Sequence, residues 1–133
     1  MSMNSRLGAA YTGSDAANFF SLELGIADLS AEASYFKVVP FNARLVRAYS
    51  VTNGAVAAAD VTVTLKNNAG AALTNGAITI ATAASAAGDI DSCEPTANNV
   101  FTQGQKIEAL VTGGGAGGTP RGDLTYIFER LGD

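Results

Sequence analysis

The sequence contains no histidine, no tryptophan and a single cysteine, Cys93, among its 133 residues. The absence of histidine excludes Ser-His-Asp and Cys-His nucleophile systems, and it excludes zinc sites that need several Cys or His ligands. One thiol cannot form an internal disulfide, so the fold does not depend on an oxidising compartment. We therefore expect neither an enzyme nor a cofactor-binding protein.

Charged residues are also scarce, at 15% of the chain, with 12 acidic and 8 basic residues and no basic cluster. Nucleic acid is therefore not an expected partner, because phosphate binding requires grouped Lys and Arg. No segment approaches the roughly 18 apolar residues of a membrane span, and the first residues contain no apolar signal-peptide core. We expect a protein made in the cytoplasm that has no membrane partner.

Large apolar side chains are fewer than the hydrophobic fraction of 47% suggests, because 25 residues are alanine. A chain of this length forms a single domain with one core. Alanine buries little area, so that core contributes a modest hydrophobic free energy. We expect the domain to gain stability from a partner, most simply from further copies of itself.

Residues 1–34 are rich in Ala, Ser, Gly and Asp and are interpreted as an extended N-terminal arm or first strand that acts as a docking element. The arm contains one partly alternating apolar cluster, which we predict to bind a partner. A first strand of the domain's own core has the same pattern and is favoured over a strand dedicated to docking. The cluster consists of Phe19, Phe20, Leu22, Leu24 and Ile26.

Residues 35–133 show short alternating segments separated by turn residues and are predicted to form the sandwich domain. Val61, Val63 and Leu65 alternate with polar residues, and turn signals follow at 67–70 and 74–76. Strands at this spacing, without a sustained 3.6-residue period, predict an all-β, antiparallel β-sandwich or jelly roll. Two later segments have the same alternation, with inward positions at Ile107, Ala109, Val111, Leu124, Tyr126 and Phe128.

Three short motifs are compatible with chemistry but have simpler explanations. The glycines of 113–118 match a dinucleotide-binding pattern, yet no apolar helix follows them. Asp89, Asp91 and Glu94 bring carboxylates together in sequence, which leaves a calcium site open beside an ordinary acidic loop. Residues 121–123 read Arg-Gly-Asp, an adhesion tripeptide that also occurs by chance, and the Asp is expected to open the last strand.

Arg44 and Arg47, with Tyr35, Tyr49 and Tyr126, offer a further ligand surface, because arginine stacks on aromatic rings and binds carboxylates. The two arginines are three residues apart, so on a regular strand they face opposite sides. Solvated side chains or ion pairs between subunits are favoured over a ligand site.

The alternating and turn segments include, in chain order, residues 39–51, 58–65, 76–80, 85–89 and 104–108. This order resembles that of the head decoration, or cement, proteins of tailed bacteriophages, also called auxiliary capsid proteins. The similarity extends over residues 35–130, and the arm lies outside it.

This resemblance implies a structural virion protein that binds the outside of a phage capsid and stabilises the head lattice. The implied partners are the major capsid protein and further copies of the chain, as a homotrimer, after synthesis in the host cytoplasm. The family contributes no catalytic residues. The alternative function is a receptor-binding or carbohydrate-binding sandwich of a head fibre or tail.

Overall fold

The computed structural model describes residues 18–115 and 118–132, and within them every regular element is a β-strand. Among these residues no helix is long and apolar enough to cross a membrane. The strands are β1 (Phe19–Ile26), β2 (Ala33–Val38), β3 (Ala43–Thr52), β4 (Val61–Lys66), β5 (Ala72–Ile80), β6 (Ile90–Cys93), β7 (Val100–Phe101), β8 (Lys106–Gly113) and β9 (Gly122–Arg130).

The strands form two antiparallel sheets. Sheet I has the order β1-β9-β3-β6, with the short β7 also paired to β3, and sheet II has the order β2-β8-β4-β5. Apart from β7, the chain runs through the two sheets in the order of a jelly roll. The predicted all-β jelly-roll class is confirmed, and its antiparallel pairing follows from the alternating apolar pattern.

The core lies between the sheets and is built from the inward positions of both. The predicted inward residues Leu124, Tyr126 and Phe128 are all fully buried in β9. Phe128 is at the centre of an aromatic group: its ring stacks on Phe20 at 5.2 Å and meets Phe101 edge-on at 5.8 Å between centroids. Such pairs add to the area burial that stabilises the sandwich. The other inward positions predicted from alternation are buried too, namely Val61, Val63, Leu65, Ile107, Ala109 and Val111.

A β-bulge in β3 corrects the expectation that Arg44 and Arg47 face opposite sides. Their partners on β9 are Glu129 and Ile127, and the register shifts between Leu45 and Arg47. Val46 is the extra residue of the bulge, so Arg47 takes the position that follows Leu45 in the alternation. Both arginines therefore lie on the outer face of sheet I. A three-residue spacing therefore gave the wrong side because this strand is not regular.

The turn predicted at 74–76 is wrong, whereas the turn at 67–70 is confirmed. The chain reverses at Asn67, whose side-chain Oδ1 accepts bonds from the backbone N–H groups of Ala69 and Ala71. Residues 74–76 instead lie inside β5, where Asn75 has a φ of 58°. An Asn-Gly pair can serve a strand irregularity as well as a turn.

The two lateral sides of the sandwich differ. On one side, the segment after β6 bonds to β5 in sheet II, through Thr74 N–H to Ala97 O at 3.0 Å and Thr96 N–H to Thr74 O at 2.9 Å. On the other side, the edge strands β1 and β2 pack beside each other at the ends of their sheets. One side is thus tied by backbone bonds, and the other presents two strand edges.

Candidate interaction surfaces

The structure places four of the five predicted partner-binding residues on the inner face of β1. Ile26 is buried in the core, and Phe20, Leu22 and Leu24 pack against it while remaining half-buried. Phe19 points to the outer face and is 45% exposed. The apolar cluster of the arm is thus part of a strand of sheet I, and a contact of these residues with a partner stays a prediction. Residues 1–17 of the predicted arm lie outside the described residues.

The outer face of sheet I carries an apolar surface, here called the outer patch, formed by Tyr49, Val51, Ile90 and Ile127. These side chains line an open groove of about 430 Å³ across β9, β3 and β6. Ile90 is 67% exposed, the largest value among the exposed large hydrophobic side chains of the described residues. A contiguous exposed apolar surface of this kind is typical of an interaction site.

The sequence contained a signal for the outer patch that alternation alone does not reveal. Ile127 occupies an outward position of β9 between Thr125 and Glu129, where a solvated strand normally has polar residues. Val51 and Ile90 face each other across β3 and β6. Only the pairing of strands distant in sequence shows that these apolar exceptions form one surface.

Ion pairs border the outer patch on the same face. Arg44 contacts Glu129 at 2.6 Å, and Arg47 pairs with Glu94. The Arg47 guanidinium also lies 5.7 Å from the centre of the Tyr49 ring. The arginines thus have acidic partners within the chain, and such exposed pairs contribute little to stability.

The tyrosines considered with these arginines do not form one ligand surface. Tyr126 is fully buried in the core, and burial raises the pKa of its phenol. Tyr35 is packed against the core from β2 of sheet II. Only Tyr49 lies beside an arginine on the outer face.

Cys93 is a buried side chain of sheet I at the end of β6. Burial raises the pKa of its thiol to about 11, against the opposing effect of a hydrogen bond with the Ala48 backbone. A thiol that stays protonated at neutral pH is a poor nucleophile. This environment therefore suits a passive side chain and not a reactive thiol.

Two of the three acidic residues considered for calcium, Asp89 and Glu94, have different partners within the chain. Asp89 accepts a hydrogen bond from the Ala86 backbone N–H at 2.8 Å, while Glu94 pairs with Arg47. Within residues 18–115 and 118–132, no three His, Cys, Asp or Glu side chains form a group able to hold a metal ion. The described geometry therefore assigns Asp89 to its own loop and Glu94 to the ion pair.

Close backbone packing accounts for Gly113, the last residue of β8, and for Gly114, which follows it. Gly113 and Gly114 have φ values of +84° and +79°, and a Cβ at Gly113 would be 2.3 Å from the Asp60 carbonyl oxygen. The next regular element is β9, so no helix N-terminus is available for a phosphate. Asp123 is the second residue of β9, which agrees with the prediction that it lies at the start of this strand.

Solved structures with a similar fold include phage capsid chains and carbohydrate-binding modules. The capsid asymmetric unit of the cyanophage Pam1 is 13% identical, with a TM-score of 0.49, and the match covers 85% of this chain and 82% of the other. The capsid of Ralstonia phage GP4 is 13% identical, with a TM-score of 0.48 and coverage of 86% of both chains. CsCBM6-3 from Clostridium stercorarium, solved with cellobiose, is 11% identical, with a TM-score of 0.47 and coverage of 86% and 83%.

No protein-family model and no curated protein sequence matches the chain. Phage capsid chains and sugar-binding modules are thus both among the proteins with a similar fold. At these identities the likeness concerns the arrangement of strands, which many functions share.

Proposed function

We propose that the chain is a structural virion protein that binds the outside of a phage capsid and stabilises the head lattice. The observation that carries the proposal is the outer patch, an apolar surface on a sheet face instead of in an enclosed site. The resemblance of residues 35–130 to decoration proteins supplies the biological setting.

The geometry of the outer patch suits a protein partner. Its side chains project from three hydrogen-bonded strands, so the surface is held rigidly, and binding orders few additional groups. Ion pairs at its border, Arg44–Glu129 and Arg47–Glu94, give the polar rim that protein interfaces commonly have. A modest contact repeated over a capsid lattice stabilises the assembled state through multivalency.

The proposal is tested by the number of copies per particle. Quantitative mass spectrometry of purified particles from the source phage should give a ratio to the major capsid protein that matches a set of equivalent lattice sites. A few copies per particle would indicate a vertex, fibre or tail location instead. Absence of the chain from particles would contradict a virion function.

Oligomeric state is a separate part of the proposal, since the resemblance implies a homotrimer over a three-fold axis. Sedimentation equilibrium of the purified chain measures its mass directly. A three-chain mass would support the trimer, and its absence both in solution and on the particle would contradict it.

A sugar-binding function is the second candidate, and one observation favours it. The groove of the outer patch contains an exposed aromatic ring, Tyr49, near the polar side chains of Asp123 and Thr125. Sugars bind to aromatic rings beside hydrogen-bonding groups. Titration calorimetry with host surface polysaccharide and with cellobiose would show saturable binding that Tyr49→Ala abolishes, and no binding of either would contradict this candidate.

A further inference from the structure

The four outer edge strands of the two sheets are not equally protected against pairing with another chain. Proteins block strand edges with bulges, short strands or inward-pointing charges. In this sandwich β5 contains the irregularity at Asn75, β6 has only four residues, and β2 carries Lys37 on its inner side, opposite buried Ile107. Each of these three edges has a recognised form of protection.

The remaining edge, β1, has none of these features. It is eight residues long, contains no proline or lysine, and pairs with β9 from Phe19 to Ile26 without a register shift. Among the described residues, β9 is its only strand partner. Its inner side chains Phe20, Leu22 and Leu24 remain half-buried. The outer edge of β1 thus combines backbone groups that have no partner within residues 18–115 and 118–132 with incompletely covered apolar side chains.

The hydrogen-bond pattern shows which backbone groups face this edge. Arg130 N–H donates to the carbonyl of Asn18, so even-numbered residues of β1 bond to β9. Because antiparallel bonding alternates along a strand, the N–H and C=O groups of the odd-numbered residues point outward. They belong to Phe19, Ser21, Glu23 and Gly25.

We propose that β1 pairs with β1 of a second copy of this chain, antiparallel about a two-fold axis through Leu22. In this register, Ser21 faces Glu23 of the other copy, and Phe19 faces Gly25. In each strand, all four residues whose backbone N–H and C=O groups point to the free edge are then paired. Shifting the register by two residues leaves fewer pairs, and one of these shifts places the two Glu23 carboxylates directly opposite, which is unfavourable.

Side-chain complementarity supports a second copy as the occupant. Glu23 is the only charged residue of β1, and a serine hydroxyl opposite it can donate a hydrogen bond. Gly25 is unusual in a strand interior, and its own fold does not require glycine: a Cβ there would meet only Asp123 Oδ1, at 3.7 Å. An aromatic ring across the pair covers a glycine in a strand, and Phe19 is available at 45% exposure.

The contact differs from the three-fold contact implied by the resemblance. A β1 pair closes with two copies, because the same strand is used on both sides of the axis. It can exist alone as a dimer, or it can join two trimers. It does not depend on capsid binding, since the outer patch lies on the outer face of β9, β3 and β6.

The test is a charge-swap series at the edge, followed by sedimentation equilibrium of the full chain. Ser21→Glu places like charges opposite each other at two equivalent positions and should weaken the β1 contact roughly tenfold. The double variant Ser21→Glu with Glu23→Lys restores opposite charges in this register and should recover the association. Thr64→Glu, on the outer side of the central strand β4, is the matched control and should leave the mass unchanged.

A second variant keeps the test decisive if a charge also perturbs folding. Ser21→Pro removes only an N–H that points to the free edge, so the β1–β9 bonds remain, while the β1 pair loses two donors. Circular dichroism and thermal melts establish that each variant is folded. Loss of the two-fold contact in Ser21→Glu and Ser21→Pro with recovery in the double variant supports the proposal. A monomeric wild type overturns the proposal, and so does an oligomer whose mass these variants do not change. Occupation of the edge by residues 1–17 or by a capsid strand also overturns it.

Discussion

At the scale of single residues, the fold requires glycine at some positions of this chain and not at others. Gly113 adopts a left-handed φ of +84° and lies against the Asp60 carbonyl, so only hydrogen fits at its Cα. Gly25 has no such restriction, because an added Cβ would make only an ordinary contact with Asp123. The first glycine is required by the fold of one chain, whereas the second is not.

This contrast gives a matched pair of substitutions. Gly113→Ala should destabilise the fold by about 2 kcal/mol or more, because it combines an unfavourable φ with a backbone clash. Gly25→Ala should change the stability by less than about 0.5 kcal/mol or increase it, since alanine lowers the entropy of the unfolded chain. Urea denaturation of both variants measures the difference, and equal losses would contradict the distinction.

Cys93 makes the free energy of unfolding depend on pH in the alkaline range. The thiol ionises near its ordinary pKa of 9.0 in the unfolded chain but only at about 11 in the folded chain. Between these values the unfolded state binds fewer protons, so the free energy of unfolding falls as the pH rises. The contribution is fully present below about pH 9 and is lost towards pH 11.

We therefore expect the wild type to lose more stability than Cys93→Ala between pH 8 and 10.5. Burial and the neighbouring Cys93 thiolate both raise the pKa of the Tyr126 phenol, so part of its alkaline loss is coupled to Cys93. The difference between the two urea-denaturation curves at each pH therefore measures the thiol together with its coupling to Tyr126. A difference that does not change with pH would show that Cys93 ionises alike in both states.

At the scale of elements, β3 shows why the strands could be predicted from the sequence, whereas the side of the sheet on which Arg47 lies could not. Alternation in β4, β8 and β9 identified the inward residues, because those strands are regular where they cross the core. The bulge at Val46 has no local sequence signal and became visible only through the register with β9. The Asn-Gly pair at 75–76 suggested a turn, since the same residues suit positive φ in either setting.

The outer patch was missed for a related reason. Its residues come from β3, β6 and β9, and their proximity depends on pairing between distant parts of the chain. Alternation shows that a residue faces outward, but it does not show which outward residues of other strands lie beside it. Pairing also explains why the apolar cluster of the arm contributes to the core: β1 is matched to β9 along its full length.

Deleting the bulge residue should be tolerated far better than deleting a residue from the regular part of β3. Without Val46, Leu45 and Arg47 are neighbours and still pair with consecutive residues of β9, so their side chains keep their directions. Deletion of Tyr49 instead reverses the directions on one side of the deletion, which turns Arg47 towards the core or Ser50 away from it. We expect the Tyr49 deletion to cost at least about 2 kcal/mol more than the Val46 deletion, from a buried charge or lost core packing. Thermal melts compare the two, and similar melting temperatures would contradict the role of the bulge.

At the scale of the whole molecule, the sandwich presents different faces for different contacts. The outer patch spans β9, β3 and β6 of sheet I, whereas on the outer face of sheet II the exposed Phe36 and Val38 lie on the edge strand β2. The region of β4 and β5 on that face carries Thr62, Thr64 and Thr79. Under the proposed function, the outer patch rests on the lattice and the polar region of β4 and β5 faces solvent. It also provides a control surface within the same chain.

Ile90→Glu should therefore weaken binding to capsids that lack this protein at least about tenfold, because it places a charge in the apolar surface. Thr79→Glu, at an exposed position of β5, should leave binding unchanged. Both side chains are exposed, so each substitution should alter stability by less than about 0.5 kcal/mol. Co-sedimentation with purified capsids measures the binding, and equal affinities of the two variants would exclude the outer patch as the contact surface.

The pairing of β1 with β9 also has a consequence during synthesis. Phe19 lies opposite Glu129 in the finished fold, so the first described strand has no partner strand until the last one has been translated. At about 5 to 20 residues per second, this interval is on the order of ten seconds. An apolar strand that waits so long on the ribosome is open to pairing with its equivalent on a neighbouring nascent chain. Polysomes that translate this message therefore bring together unfinished copies of one edge at high local concentration.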